Sequence, residues 1–290
     1  MLARVRLESL TGEPLRLYVL ADPAPGDDGN DDRAVSRRHR LAAWDDDAAS
    51  VIAATPALRQ TSSGYRGGRS DPWRQLRRDR RLRDDDARRK GNVVQGALTR
   101  LNGTSRQEMT LAIGFGHTRA KANRVAGASL RAGFASAATR FANGWTDYLQ
   151  SLKDPPASVA SDPFLRQLYD QSLIMLAASE DKKHRGASIA APGMPWVWAT
   201  LTLEQKEISG PYHLVWPRDF YHVATAQKAA GDDAASIRLL EYLWRVQKRD
   251  GSWWQNTRVN GRKYWTELQM DEVALPIVLA WWLGRTGRRD

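Results

Sequence analysis

The stretch Tyr212–Asp219, with the sequence YHLVWPRD, is the most informative part of this chain for its fold and its function. It places the indole of Trp216, a proline that fixes the backbone, the guanidinium of Arg218 and the carboxylate of Asp219 next to one another. An aromatic face covers the apolar C–H side of a pyranose ring, while Arg donates to sugar hydroxyls and Asp accepts from them. The stretch therefore predicts contacts to a neutral polyol such as a sugar. The alternative is a plain helix start, in which Asp219 caps the helix and pairs with Arg218.

The residues around this stretch predict helices joined by tight turns. Apolar residues recur at helical spacing after each start signal, and the Gly231-Asp232-Asp233 turn separates two of the segments. An Asp162-Pro163 pair is typical of a capped helix start. The predicted helices cover about residues 162–179, 219–230, 233–248 and 271–284. Helices that alternate with tight turns and long aromatic loops favour an α/α arrangement.

Residues 1–116 are predicted to be β-rich, and residues 117–160 to be a helical linker that leads into a third region, residues 161–290. Ala3–Glu8 and Pro14–Ala21 alternate polar and apolar side chains around a glycine turn, which predicts a hairpin. The other predicted strands are Ser50–Ala54, Val93–Leu101 and Glu108–Phe115. Gly64–Lys90 is polar and is predicted to be a loop. This is a thin set of strands for a closed sandwich, so we expect a partial one.

Nine of the twelve tryptophans lie at or after residue 196. Trp244, Trp281 and Trp282 lie within helical patterns and are predicted to pack in the core. The others lie in loops bounded by glycine and proline, where several large aromatic side chains together predict a shared cavity. These loop residues are Trp196, Trp198, Trp216, Trp253, Trp254 and Trp265.

The net charge of +11 raises nucleic acid as a partner. Eleven of the cations fall between Arg66 and Lys90, but five aspartates are interleaved with them, which favours a salt-bridged surface over a phosphate-binding stripe.

The composition also excludes several kinds of site. With no cysteine in the chain, disulfides and thiolate metal sites are excluded. No apolar run approaches the length of a membrane span, and Met1–Arg6 has no apolar signal core. The composition predicts a soluble chain and leaves its localisation open. We expect no cofactor, no metal, no membrane and no nucleic acid.

The motif region resembles glycoside hydrolase family fifteen, the bacterial glucoamylases and glucodextranases. The resemblance is strongest in Gly210–Ala230, Leu240–Trp254 and Tyr264–Trp282, and Ala187–Trp196 is similar to the loop that precedes the motif. Weaker similarity extends upstream to about residue 65. It implies a mixed fold, in which a partial N-terminal β-supersandwich and a helical linker precede the first helix pairs of an (α/α)6 barrel.

The resemblance also implies an activity and a set of substrate-binding residues. Enzymes of the family release glucose from the non-reducing ends of α-glucans with inversion, so the expected partner is an α-glucan, as a maltooligosaccharide or isomaltooligosaccharide. Arg218 and Asp219 would bind the terminal glucose and Trp216 would line its pocket. Trp265 would flank the cleavage point, with Gln269 and Asp271 beside it. Trp196 would belong to the preceding loop. Glu267 departs from the small residue expected at its position.

No catalytic residue is predicted in this chain. The family's acid and base are glutamates of later helix pairs, and neither Glu267 nor Glu272 stands at a matching position. We therefore expect a fragment of the hydrolase that is inactive alone, poorly stable and prone to aggregate. One alternative is a non-catalytic glucan-binding protein, and a further one is a basic nucleic-acid binder that uses Arg66–Lys90.

Overall fold

The computed structural model describes residues 1–27, 29–103, 105–192 and 211–284. It divides into two compact units, Met1–Phe141 and Ala142–Asp290. The first is a β domain that ends in helices, and the second is helical. The predicted mixed fold is therefore confirmed, and the boundaries at residues 116 and 160 stay predictions.

The β domain contains nine strands within the described residues. They are β1 (Leu2–Leu7), β2 (Leu15–Ala21), β3 (Asp32–Arg37), β4 (Arg40–Trp44), β5 (Ala49–Thr55), β6 (Gln60–Tyr65), β7 (Ala87–Gly91), β8 (Val93–Gly103) and β9 (Gln107–Gly116). One antiparallel sheet has the order β1-β9-β5-β4-β3-β7, and the second has the order β2-β8-β6. Leu41, Ile52 and Met109 of the larger sheet pack with Ala97 and Leu101 of the smaller one, which makes the pair a sandwich.

The predicted hairpin at the start of the chain is wrong. Both of its strands exist, but β1 pairs with β9 and β2 pairs with β8, so they lie in different sheets. Local alternation shows that a strand is half buried, but it does not identify its partner. The prediction of a thin strand set is also wrong, because β3, β4, β6 and β7 were not predicted.

The segment Gly64–Lys90 is not a simple loop. It contains helix α1 (Pro72–Asp79), capped by Asp71, whose side chain accepts from the backbone N–H of Trp73 at 2.8 Å, and it contains most of strand β7. The expected salt bridges are present in this segment. They include Arg83 with Asp79 at 3.1 Å and Arg88 with Asp86 at 2.8 Å.

Helices α2 (Arg119–Ala132) and α3 (Phe134–Gln150) follow the sandwich, as the periodicity predicts. Ala122 and Ala126 of α2 pack on Val51, Ala53 and Ala112 of the larger sheet. The approach is close enough to require glycine on β9, since a side-chain carbon at Gly114 would lie 2.3 Å from the carbonyl oxygen of Ala122. Gly133, with φ of 79°, separates the two helices.

The second unit contains α4 (Ala157–Ala160), α5 (Pro163–Ala178), α6 (Pro217–Ala229), α7 (Asp233–Val246) and α8 (Met270–Trp282) among its described residues. Helix α6 packs on both α7 and α8 around Phe220, Leu239, Leu243 and Leu279. Asp162 caps α5, and Asp232 caps α7. The four long helices predicted here are thus confirmed, with ends that differ by at most two residues.

One prediction about helical side chains is wrong. Trp281 and Trp282 are 78% and 43% exposed, so they do not pack in a core. The apolar face of α5 is only partly covered, because Leu173 is buried while Leu165 and Leu168 are exposed. Helical periodicity identifies an apolar face, but it does not supply the surface that covers it. None of the described helices is long and apolar enough to span a membrane.

Candidate functional site

An aromatic cluster stands at the entrance to α6. The rings of Tyr212 and Trp216 are stacked, with centroids 6.3 Å apart, and the ring of Trp265 meets Trp216 edge-on at 5.7 Å. Trp216 is 6% exposed, whereas Trp265 keeps 43% of its surface open. The cluster thus has a buried centre in Trp216 and an exposed aromatic surface on Tyr212 and Trp265.

Backbone hydrogen bonds fix the two loops that carry these rings. Val215 and Thr257 exchange backbone hydrogen bonds of 2.8 and 3.0 Å. The side-chain oxygen of Asn256 accepts from the backbone N–H of Trp265 at 2.9 Å. The hydroxyl of Tyr242 lies 2.8 Å from that of Thr257, which ties the loop to α7. These bonds place the loop after α7 against the start of α6.

Arg218 is held at the second position of α6, next to this cluster. Pro217 opens the helix, where its missing N–H costs no hydrogen bond. The guanidinium donates to Asp271 through Nη1 at 2.7 Å, and its Nε lies 3.8 Å from a carboxylate oxygen of Asp219. It also lies 5.5 Å from the centre of the Trp216 ring, a cation–π distance. The side chain of Arg218 remains 37% exposed, so these contacts orient the guanidinium and still leave it accessible to a ligand.

Glu272 lies beneath Arg218 and is fully buried. One of its oxygens accepts from the backbone N–H of Arg218 at 2.7 Å, and the other lies 3.6 Å from the guanidinium. The first contact satisfies one of the N–H groups that a helix start leaves without an intrahelical acceptor. Burial raises the pKa of Glu272 to about 7, although the hydrogen bond and charge of Arg218 oppose this rise. Glu272 thus anchors the first turn of α6 to the first turn of α8.

The two partly exposed carboxylates around Arg218 differ in their surroundings. The hydrogen bond from Arg218 lowers the pKa of Asp271 and keeps that carboxylate ionised. Burial raises the pKa of Asp219, and the charge of Arg218 offsets part of this effect. Asp219 lies inside the first turn of α6, while Trp216 occupies the N-cap position. The alternative in which Asp219 caps the helix is therefore wrong, but its ion pair with Arg218 is present.

The structure brings together four of the five predicted site residues: Trp216, Arg218, Asp219 and Trp265. Trp196, the fifth, and Trp198 lie outside the described residues. Two of the other loop tryptophans are not in this cluster. Trp253 is buried and donates to the carbonyl of Leu243 at 2.8 Å, and Trp254 packs against Lys248 and Lys263.

The sequence predicts the roles of three members of the site incompletely or not at all. Tyr212 belongs to the motif, but no role is predicted for it. Asp271 is predicted beside the cleavage point, but its ion pair with Arg218 is not. Glu272 matches no catalytic position of the family, and its structural role is not predicted. The signal that could have identified it is a pair of acids at the start of an otherwise apolar helix, α8. Over the described ranges, no group of three or more His, Asp or Glu side chains is arranged to hold a metal ion.

A two-sheet antiparallel β domain followed by packed helices is the architecture found in part of a bacterial glucoamylase structure. The chain belongs to the family described as glucodextranase, domain N, whose model matches residues 1–150, just over half of the chain. It is also a homologue of the bacterial glucoamylases, so the predicted resemblance to glycoside hydrolase family fifteen is confirmed.

The glucoamylase of Clostridium sp. (strain G0005) is 31% identical over 291 residues, which cover 98% of this chain and 40% of the relative. The crystal structure of a bacterial glucoamylase complexed with acarbose is similar with a TM-score of 0.79 at 31% identity, over 93% of this chain and 39% of that one. An uncharacterised glycosyl hydrolase of Methanocaldococcus jannaschii is 36% identical over 62 residues, or 21% of this chain and 10% of its own. The chain thus spans about 40% of the glucoamylases it matches.

The raised pKa of Glu272 predicts a pH-dependent stability. An unfolded Glu ionises near its ordinary pKa of 4.5, while the folded protein holds this proton up to about pH 7. The folded state therefore binds more protons between these values, and its stability falls as pH rises through this window. A difference of this size corresponds to about 3 kcal/mol. Glu272→Gln keeps an acceptor for the Arg218 N–H and cannot ionise. We expect it to match the parent near pH 5 and to exceed its free energy of unfolding by about 2–3 kcal/mol at pH 8.

Urea unfolding followed by circular dichroism between pH 5 and 8 measures this difference. Glu267→Gln, which removes the same charge at an exposed position in the loop before α8, is the control and should leave the pH profile of the parent unchanged. Parallel profiles for the parent and Glu272→Gln would contradict the assignment.

Proposed function

We propose that the Arg218 site binds the terminal glucose residue of an α-glucan chain, within a protein of the glucoamylase type. The observation that carries the proposal is a guanidinium oriented by Asp271 and Glu272 and still partly open, beside exposed aromatic surface. Donors whose geometry is fixed before the ligand arrives lose little conformational entropy on binding. The solved relative complexed with acarbose supports the same ligand class.

The side chains of the site divide into those that would contact the sugar and those that hold the contacting residues in place. Arg218 donates to sugar hydroxyls, and Asp219 accepts from them. Asp271 and Glu272 hold Arg218 in place. Trp265 and Tyr212 offer the aromatic surface for the C–H face of a pyranose, and the buried Trp216 supports both rings from behind. The role predicted for Trp216 thus changes from lining the pocket to supporting the rings that line it. Trp196 stays a candidate contact from the preceding loop.

The reaction implied for the whole family is the inverting release of glucose from non-reducing ends. Inversion needs a carboxylic acid and a carboxylate base roughly 6.5–9.5 Å apart on opposite sides of the sugar. Of the three carboxylates that contact Arg218, Asp271 is committed to its ion pair and Glu272 is buried. That leaves Asp219, which the proposal uses for sugar binding. We propose, accordingly, that the 290-residue chain binds α-glucan without cleaving it.

Arg218→Ala should weaken binding of acarbose and of maltotetraose by about tenfold to a hundredfold, since a hydrogen bond from a charged group contributes about 1.5–3 kcal/mol. Isothermal titration calorimetry on the 290-residue chain measures the affinity. Arg249→Ala, which removes an exposed arginine elsewhere in the helical unit, should bind as the parent does. Equal affinity of the parent and Arg218→Ala would rule out the site.

Glucose release from maltotetraose should not rise above that of an Arg218→Ala, Asp219→Ala double variant, because the described residues around Arg218 include no free acid–base pair. A coupled glucose assay at high protein concentration, run between pH 5 and 7, makes the comparison. Release by the parent that clearly exceeds the double variant would show that this chain contains its own catalytic pair.

A further inference from the structure

A cleft of about 760 Å³ opens in the β domain, far in sequence from the Arg218 site. It is bounded by the β3–β4 turn, the start of β6 and the segment that follows α1. Guanidinium groups of Arg38, Arg59, Arg81 and Arg83 line it. An adjoining cleft of about 390 Å³ shares Arg59 and adds Arg16. The paired clefts form one cationic groove on the β domain.

The charge of the four arginines that line the larger cleft is only partly compensated by its two lining carboxylates, Asp79 and Asp84. Arg83 lies 3.1 Å from Asp79, which is also bound by Arg78 at 2.7 Å. The hydrogen bond from Arg78 lowers the pKa of Asp79 to about 2. In the part of the chain that the structure describes, Arg38, Arg59 and Arg81 make no ion pair or side-chain hydrogen bond. Three guanidiniums thus face the cleft without a carboxylate partner.

Hydrogen bonds tie the segment that carries Arg81 and Arg83 to the interior of the β domain. The side chain of Gln75, buried in α1, accepts from the backbone N–H of Arg83 at 2.8 Å and donates to Asp85 at 2.7 Å. Asp85 in turn accepts through its backbone carbonyl from Ser63 of β6. The segment between α1 and β7 is therefore fixed from the interior of the domain. The cationic groups around the cleft extend from an ordered scaffold.

The backbone around the cleft adopts a conformation that its side chains do not favour. Arg38 and His39 form the two-residue turn between β3 and β4 with φ of 49° and 61°, and Arg80 ends α1 with φ of 52°. In the described ranges these are the non-glycine residues with positive φ. Glycine or asparagine would relieve the strain at each. Strained residues cluster at functional sites, and here all three lie on or next to the cleft.

We propose that this cleft binds a small ligand that carries two or more phosphoryl groups. The paired N–H donors of a guanidinium can form two hydrogen bonds to the oxygens of one phosphate group. Several separate arginines therefore suit a ligand with more than one phosphate group. The volume lies in the range of small-molecule sites. No Trp, Tyr or Phe ring is among the cleft's described lining residues, so bases could not stack there as they do on single-strand nucleic-acid sites. The proposal is independent of the Arg218 site.

Calorimetry on the 290-residue protein with inorganic pyrophosphate tests this site. Arg38→Ala combined with Arg81→Ala should weaken pyrophosphate binding at least tenfold. The control is Arg69→Ala combined with Arg89→Ala, which removes the same charge from exposed positions outside the cleft and should change the affinity less than twofold. Arg59→Ala, at a position without positive φ, provides a second variant if the first pair disturbs the turn.

Inorganic phosphate should bind at least tenfold more weakly than pyrophosphate, because it reaches fewer of the arginines at once. No measurable binding of pyrophosphate by the parent, or equal weakening in the cleft and control variants, would overturn the proposal. A single-stranded oligonucleotide that binds more tightly than pyrophosphate, and loses that binding in the cleft variant, would overturn it in favour of a nucleic-acid site.

Discussion

The hydrogen bond between the buried carboxylate of Glu272 and the backbone N–H of Arg218 is the contact on which the helical unit's site depends. It joins the first turns of α6 and α8, two segments more than fifty residues apart. The junction brings the guanidinium of Arg218 to Asp271 and sets Trp216, two residues earlier, against Trp265. Burial makes the same contact pH-sensitive, because an ionised Glu272 has no water to solvate it.

Much of the helical unit could be predicted from its sequence, because each helix start carries a local chemical signal. Asp162 before Pro163, Asp232 before α7 and Pro217 at the start of α6 act within one turn of the helix they open. The candidate sugar-binding residues Trp216, Arg218 and Asp219 could be predicted for the same reason, because they are neighbours in the sequence. The contact from Glu272 was not, since its partner is distant in the chain and a buried acid in an apolar helix gives no periodic signal.

The β domain was harder to predict because part of its interior is polar. Ser62 and Ser63 of β6 are fully buried, and Ser63 bonds to Ser36 at 2.9 Å and to Gln95 at 2.8 Å. A strand that buries serines does not show the apolar alternation that identifies strands in a sequence. The pairing of β1 with β9 is also non-local, so the pattern of β1 predicts a strand without identifying its neighbour.

The two units present different chemistry to ligands. The helical unit joins carboxylates and aromatic rings around one guanidinium, which suits a neutral sugar. The groove of the β domain presents several guanidiniums with few carboxylates, which suits an anion. Membership of the glucodextranase, domain N, family accounts for the architecture of the β domain but not for the charge of this groove.

A crystal structure of the chain soaked with acarbose tests the central claim most directly. The account predicts a sugar ring within hydrogen-bonding distance of Arg218 and Asp219 and against the exposed face of Trp265, with the Glu272 contact to the Arg218 N–H intact. A sugar bound elsewhere on the chain, or one that leaves Arg218 paired only with Asp271 and out of reach, would contradict it.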